Sequence, residues 1–272
     1  MRYTLFLAIS LLLASPAWAD FESDSRDCRR GRGQPQIDAC TRLLKSGKLS
    51  TYNRAATYNN RGNAYRILGR HRRAIRDLNE AIRIDPSLSP PYVNRGTAYI
   101  NLGQVRRALA DYNTALRLNP KEAEAYFNRG NIYFKLRQYR RAILDFNRTL
   151  LLKPRFVGAF INRGNAYFNL NQSRRAIQDF SAAIRLNPRS ADAHFNRGNS
   201  YYRLDQFLNA VRDYTMTLRL NPRYVKAYGN RGWAYMNLGL KQQALSDFRT
   251  AVRLRPGDKV GSDGLRRLGL KP

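Results

Sequence analysis

Residues 162–188 read NRGNAYFNLNQSRRAIQDFSAAIRLNP, and this stretch recurs with small changes along most of the chain. Its closing proline returns every 34 residues, at Pro86, Pro120, Pro154, Pro188, Pro222 and Pro256. A fixed period of this length indicates an array of similar structural units. If each of these prolines is given repeat position 32, the six units are 55–88, 89–122, 123–156, 157–190, 191–224 and 225–258.

The residues inside each unit have helical spacing. Glycine and tyrosine stand three apart at repeat positions 8 and 11, as in Gly164 and Tyr167. Alanine occupies position 20, a large residue position 24 and a small residue position 27, as in Ala176, Phe180 and Ala183. Apolar residues three and four apart, with a polar break near positions 15 to 17, predict two amphipathic helices. Each unit is therefore predicted to be a helical hairpin, and the chain to be all-α.

The order of these residues resembles the tetratricopeptide repeat (TPR) family over residues 55–256. It departs from the family at position 4, where tyrosine, phenylalanine or histidine replaces the frequent tryptophan, and at position 7, where arginine replaces an apolar residue. The resemblance implies a right-handed α-α superhelical solenoid of six TPR hairpins, with first helices lining a concave groove and second helices outside. Because a single hairpin cannot bury its apolar face, its stability depends on stacked neighbours.

The two ends of the chain differ from the repeats. Residues 1–19 place one arginine before a short apolar run and a small-residue triplet, which is the pattern of a signal peptide cleaved after Ala19. The alternative is an uncleaved anchor, but the run is shorter than the ~20 residues that span a bilayer. Residues 20–54 predict a degenerate capping hairpin, and residues 259–272 a capping helix. The mature protein is expected to be periplasmic or secreted.

The only two cysteines, Cys28 and Cys40, lie in the predicted N-terminal cap. In an oxidising compartment a close, even pair favours a disulfide, here between the two helices of the capping hairpin. Metal binding is the weaker interpretation, because the only histidines, His71 and His194, fall far along the chain. No metal site and no cofactor are predicted.

Arginine at position 7 is matched by aspartate at position 23 in every unit. The pairs are Arg61 and Asp77, Arg95 and Asp111, Arg129 and Asp145, Arg163 and Asp179, Arg197 and Asp213, and Arg231 and Asp247. This fixed separation predicts an ion pair between the two helices of one hairpin. Such a pair fixes the register more than it adds net stability, because desolvation offsets much of the Coulomb attraction.

Asparagine is frequent at positions 6 and 9, on the side of the first helix that faces the groove in the TPR family. The candidate groove residues are Asn60, Asn63, Asn94, Asn128, Asn131, Asn162, Asn165, Asn196, Asn199 and Asn230. An amide both donates and accepts, so it can pair with the backbone of an extended peptide whatever its side chains. The arrangement is similar to the asparagine ladder of the O-GlcNAc transferase superhelix, which holds extended protein segments by their backbones. The alternative is that the position 6 asparagine caps its helix or bonds within its own helix turn.

Position 12 lies next along the predicted groove and is mostly apolar or aromatic, as in Phe168 and Tyr202. These side chains either contact a guest segment or pack against their neighbours. Position 5 lacks the lysine or arginine that binds C-terminal carboxylates in chaperone-binding relatives, so such a ligand is disfavoured. The predicted partner is a protein or an extended peptide, and no small-molecule substrate is predicted.

The chain is strongly basic, with 49 Lys and Arg against 19 Asp and Glu and a formal net charge of +30. Pairs of arginines fill positions 18 and 19 of four successive units: Arg72 and Arg73, Arg106 and Arg107, Arg140 and Arg141, and Arg174 and Arg175. They predict a stripe on the outer helices that binds a polyanion or an anionic membrane surface, or else a solvated face without a partner. Nucleic acid is disfavoured, because no aromatic residues are interleaved with these arginines to stack on bases.

No group of residues suggests catalysis. Carboxylates are scarce, and no glycine-rich loop joins a strand to a helix. The sequence therefore predicts a non-enzymatic, exported scaffold for protein-protein interaction that holds an extended peptide in an asparagine-lined groove. The alternative function is a basic anchoring module that binds an anionic envelope surface.

Overall fold

The computed structural model describes residues 16–271, which form fifteen helices. These helices divide after Glu122 into two compact units, each of which contains more than one of the 34-residue repeats. No strand occurs among these residues, so the all-α prediction is confirmed. Most of the predicted signal peptide, residues 1–15, lies outside the described residues, and residues 16–19 begin the first helix.

Consecutive helices pack against each other within each unit, as stacked helical hairpins require. The first unit contains α1 Pro16–Arg30, α2 Gly33–Lys45, α3 Thr51–Ile67, α4 His71–Ile84, α5 Ser89–Asn101 and α6 Val105–Leu118. The second unit contains α7 Ala123–Lys135, α8 Tyr139–Leu152, α9 Val157–Asn169, α10 Ser173–Leu186, α11 Ala191–Arg203, α12 Phe207–Leu220, α13 Val225–Asn237, α14 Lys241–Leu254 and α15 Lys259–Arg267.

The helix starts follow the 34-residue numbering, with one exception. Helices α5, α7, α9, α11 and α13 each begin at repeat position 1. Helix α3 begins at Thr51, four residues before the first 34-residue repeat starts at Ala55. The earlier start arises because the Ser50 side chain accepts a hydrogen bond from the Asn53 backbone N–H. The first turn of this helix therefore lies within the segment 20–54 that was assigned to the cap.

The glycine at position 8 allows the two helices of a hairpin to approach closely. A Cβ atom built on Gly164 would lie 2.8 Å from Cε1 of Phe180, which is the position 24 residue of the same repeat. The same relation holds between Gly62 and Leu78 in the first unit. The alanine at position 20 is fully buried in all six repeats. The glycine at position 8 is thus a packing residue.

The predicted ion pair is confirmed in every repeat. The Nε and NH2 atoms of the arginine donate to the two carboxylate oxygens of the aspartate at 2.6–2.9 Å. All six aspartates are buried; Asp179, for example, is 5% exposed. Burial alone would lower the pKa of Arg163, but the hydrogen bond and charge of Asp179 more than offset this, so the pKa is raised.

The third guanidinium nitrogen of this arginine makes a contact that the sequence analysis did not predict. In the second unit, NH1 of Arg163 donates to Asn147 Oδ1 of the preceding repeat at 2.7 Å. Position 25 of the preceding repeat also accepts from Arg95, Arg197 and Arg231, and Thr41 of the cap accepts from Arg61. One side chain therefore joins the helices of its own hairpin and ties that hairpin to the one before.

The two ends are closed by shorter elements. Helices α1 and α2 pack together, and the sulfur atoms of Cys28 and Cys40 lie at bonding distance, 2.03 Å apart, in a small core with Leu43. At the other end, α15 packs on α13 and α14 and buries Leu265 against Phe248. Both elements cover apolar surface that a terminal hairpin would otherwise expose.

The residue at position 15, between the two helices of each hairpin, has a left-handed backbone. Glycine fills this position in three repeats, whereas Arg137, Asn171 and Asp205 have φ of 58°, 59° and 56°. We expect Arg137→Gly to raise the free energy of unfolding by about 0.5–1 kcal/mol, because the left-handed strain exceeds the entropy cost of glycine. Urea denaturation followed by circular dichroism measures this change.

Asn171→Gly is the matched control, because asparagine tolerates the left-handed region and should gain less. Equal gains at both sites would contradict a strain specific to Arg137.

Candidate protein-binding groove

The candidate groove residues lie on the first helices, and all ten asparagines are half-buried. Asn60, Asn63 and Asn94 belong to the first unit, and the other seven to the second. First helices of neighbouring repeats contact each other within each unit, as α9 contacts α11 and α11 contacts α13. The asparagines of neighbouring repeats therefore come within reach of each other.

Several of these amides pair across repeats. Asn162 Nδ2 donates to Asn131 Oδ1 at 2.8 Å, and Asn230 Nδ2 donates to Asn199 Oδ1 at 2.8 Å. In the first unit, Asn94 donates instead to Asn59 at position 5, at 2.9 Å. In these three repeats the position 6 asparagine thus bonds to the repeat before it, an arrangement that neither sequence interpretation included.

Two other asparagines of the second unit have open amides, meaning side-chain amides that form no hydrogen bond in the described part of the chain. Among the residues that the structure describes, the side chains of Asn165 and Asn196 make no hydrogen bond to another side chain or to the backbone. In the first unit, by contrast, Asn63 Oδ1 accepts two bonds from Arg66, and Asn60 Oδ1 accepts one from Asn59. The second unit therefore presents both paired and open amides on its first helices.

A cavity of about 470 Å³ opens on the first helices of the second unit. It is lined by residues of α9, α11, α12 and α13: Phe168, Asn199, Tyr202, Arg203, Tyr214, Asn230 and Trp233. The volume falls within the ~300–1,000 Å³ that is usual for ligand pockets. Two of the predicted asparagines, together with both aromatic examples of position 12, thus meet at one place.

The floor of this cavity is aromatic, and its polar atoms are largely paired. Tyr214 is 1% exposed, its hydroxyl donates to Asn199 Oδ1 at 2.9 Å, and burial raises its pKa. Asn237 Nδ2 donates to the Tyr202 hydroxyl and to the Trp233 carbonyl. An apolar guest would therefore bury little unpaired polar surface here.

Arg203 is a wall residue that the sequence analysis did not identify. Its guanidinium carbon lies 3.6 Å from the centroid of the Phe168 ring, and NH1 donates to the Phe168 carbonyl and to Asn171 Oδ1. The available signal was that position 13 carries arginine in this repeat alone.

The predicted anion-binding arginines are all exposed on the second helices. The second arginine of each pair lies near the position 11 tyrosine: Arg73 near Tyr65, Arg107 near Tyr99, Arg141 near Tyr133 and Arg175 near Tyr167. The statement that no aromatic residues accompany these arginines is therefore wrong. The turn of each hairpin brings position 11 opposite position 19, which linear spacing does not show.

Three family models match the sequence. A model described as TPR repeat matches residues 96–137 and 164–205. Two models described as tetratricopeptide repeat match residues 55–88 and 123–156, and residues 196–259. The chain belongs to the tetratricopeptide repeat family. As a TPR protein it is an interaction scaffold, since proteins built from these repeats generally act by binding other proteins.

Solved TPR structures are similar to this TPR chain. YrrB, a TPR protein with an unusual peptide-binding site, is 24% identical with a TM-score of 0.64, over 71% of this chain and 98% of its own. MamA from Desulfovibrio magneticus RS-1 is 25% identical with a TM-score of 0.58, over 63% and 97%. PilF of Pseudomonas aeruginosa is 18% identical with a TM-score of 0.69, over 78% and 97%. YrrB and PilF show the fold alone, and a search of curated proteins finds no match.

Within residues 16–271, no three His, Cys, Asp or Glu side chains come together as a metal site requires. No helix in that range is long and apolar enough to cross a bilayer.

Proposed function

We propose that this chain is an exported TPR scaffold that holds an extended protein segment on the first helices of its second unit. The observation that carries the proposal is the cavity between α9, α11 and α13, which is lined by aromatic side chains. The open amides of Asn165 and Asn196 stand three residues before the lining residues Phe168 and Asn199, on the same helices. A peptide-binding site is also present in YrrB, which has a similar fold.

The two kinds of groove residue have separate roles in this proposal. An open amide donates to a backbone carbonyl and accepts from a backbone N–H, so Asn165 and Asn196 hold a segment of any sequence. First helices are spaced by roughly 10 Å, and an extended chain rises ~3.3 Å per residue. One amide per repeat therefore meets about every third residue of the segment. The aromatic cavity then receives a side chain of that segment.

Site-specific photo-cross-linking in the exporting cell tests this proposal. A benzoylphenylalanine placed at Asn169, which is exposed on α9, should yield an adduct with the partner, and one placed at Gln178 on α10 should not. Combining the Asn169 cross-linker with Asn165→Ala and Asn196→Ala should reduce the adduct by about tenfold, the effect expected for one or two lost hydrogen bonds of ~1 kcal/mol each. Adducts are separated by gel and identified by mass spectrometry.

Asn209→Ala is the matched control, because it removes an amide from the second helix α12. Circular dichroism must show the same helical signal for all variants. An adduct that survives the Asn165 and Asn196 changes undiminished, or that forms equally at Gln178, would contradict groove binding.

We also propose that the chain is exported, cleaved after Ala19, and oxidised at Cys28 and Cys40. The two cysteines lie together in the small core between α1 and α2, and this position supports the disulfide. N-terminal sequencing of the exported protein and thiol labelling without reductant test both points. An uncleaved N-terminus or two labelled thiols would count against them.

A second candidate function is binding of an anionic surface by the outer arginines. It is favoured by the first arginine of each pair, because Arg72, Arg106, Arg140 and Arg174 are exposed and form no ion pair among the described residues. Co-sedimentation with anionic vesicles over a salt series should show binding that falls as salt rises. Replacing Arg106, Arg107, Arg140 and Arg141 with glutamine should abolish it, and binding that persists would exclude this function.

A further inference from the structure

Two departures from the repeat pattern meet at the cavity of the second unit. Position 9 is polar in five repeats and is Trp233 in the sixth, and position 13 carries arginine only at Arg203 in the fifth. Both residues line the same cavity. Trp233 also packs edge-on against Phe248 of its own repeat, with the ring centroids 5.5 Å apart. The other five repeats pack their position 24 residue without an aromatic residue at position 9, so packing alone does not explain Trp233. The meeting of both exceptional residues at one cavity points to a ligand.

The aromatic walls favour a large apolar side chain. Phe168, Tyr202 and Trp233 come from three successive first helices. Asn199 Oδ1 already accepts from Asn230 and Tyr214. A guest ring or long aliphatic side chain would bury these faces without breaking a hydrogen bond.

Arg203 adds a charge that no carboxylate of the described residues neutralises. Its two hydrogen-bond acceptors, the Phe168 carbonyl and the Asn171 amide oxygen, are neutral, and both accept from NH1. In the repeat arginines, such as Arg163, Nε and NH2 form a fork that grips a carboxylate. Nε and NH2 of Arg203 form no hydrogen bond within residues 16–271, and stacking on Phe168 holds the guanidinium in place.

We infer that this cavity selects a segment in which a large apolar side chain stands next to a carboxylate. The apolar side chain enters between Tyr202 and Trp233, and the carboxylate accepts two hydrogen bonds from Nε and NH2 of Arg203. The net charge of +30 favours an acidic segment further. This inference rests on the proposed function, because it names the class of segment that the groove holds.

Fluorescence anisotropy with the full chain and dye-labelled, end-capped ten-residue peptides tests the inference. A peptide with Glu-Trp at its centre should bind about ten- to a hundredfold more tightly than the matching Gln-Trp peptide, the range for a charge-assisted hydrogen bond. A Glu-Ala peptide should lose at least as much affinity relative to the Glu-Trp peptide. The carboxylate that Arg203 binds could belong to a chain end or to an internal side chain. A peptide that ends in Trp with a free C-terminal carboxylate distinguishes these two sources.

Variants assign the effect to the cavity. Arg203→Met should abolish the preference for Glu-Trp over Gln-Trp, Arg203→Lys should keep part of it, and Trp233→Ala should weaken both peptides. Lys135→Met is the matched control, because Lys135 is the other basic residue at position 13. It should leave the preference intact.

The inference is overturned if Glu-Trp binds no better than Gln-Trp, if no peptide binds at 1 mM, or if Arg203→Met leaves the preference unchanged. An equal loss in Lys135→Met would also overturn it, because net charge would then explain the result. None of these outcomes contradicts the proposed function, provided that formation of the cross-linked adduct depends on Asn165 and Asn196. Loss of that dependence is a failure of the proposed function itself.

Discussion

Replacing Arg163 with alanine is expected to lower the free energy of unfolding by about 3–5 kcal/mol. The change leaves the carboxylate of Asp179, which is 5% exposed, as a buried charge without its cation. It also removes the bond from NH1 to Asn147 in the preceding repeat. Because repeats are stabilised by their neighbours, the loss should extend to the hairpin of α7 and α8. Urea denaturation gives the total effect, and hydrogen exchange in α8 and α10 locates it.

Two further variants separate the buried charge from lost packing. The double variant Arg163→Met and Asp179→Leu should recover much of the stability, because an apolar pair of similar volume often replaces a buried ion pair at little cost. Arg174→Ala removes an exposed arginine of the same hairpin and should change stability by less than about 0.5 kcal/mol. A double variant as unstable as Arg163→Ala would show that the uncompensated charge is not the cause.

Replacing Phe180 with alanine is expected to cost about 3–5 kcal/mol, because the ring is fully buried and its removal leaves a cavity. The ring fills the space opposite Gly164, which has no side chain to move into the void. Phe180→Leu should cost less than about 1.5 kcal/mol, since Leu78 packs on Gly62 in the same way in the first repeat. Thermal and urea denaturation of the two variants measure the difference.

Adding a side chain at Gly164, opposite the Phe180 ring, gives an independent check. Gly164→Ala should cost about 1–3 kcal/mol through overpacking, because its Cβ would lie 2.8 Å from a rigid ring. In the Phe180→Leu background the cost should shrink, since leucine can change rotamer. Equal costs in both backgrounds would show that the ring is not what excludes a side chain at position 8.

The sequence predicted the repeat, the helical hairpins and the ion pair because each follows from a 34-residue pattern that occurs six times. Comparing six copies shows which residues the pattern requires, even where one copy departs from it. The start of α3 at Thr51 was missed because it depends on one serine, Ser50, in a segment without the repeat.

The candidate site was predicted less completely. The asparagines were placed on the first helices, but the bond from Asn162 to Asn131 depends on the stagger between hairpins, which a period does not encode. Arg203 was missed for the opposite reason: a search for residues shared by all repeats passes over the residue that only one repeat has. Contacts such as Arg141 with Tyr133 cross a turn and need the fold to be seen.

The third nitrogen of the position 7 arginine has a consequence for how such an array can be rearranged by duplication. A repeat placed after another needs an acceptor at position 25 of its predecessor, and Asn79, Asn147, Ser181 and Thr215 are acceptors. The sixth repeat instead carries Arg249 at position 25. A copy of that repeat inserted in the interior would set two guanidinium groups against each other, whereas a copy of the fourth or fifth would join cleanly. The sixth hairpin is therefore not interchangeable with the others, and the difference lies in one residue of its second helix.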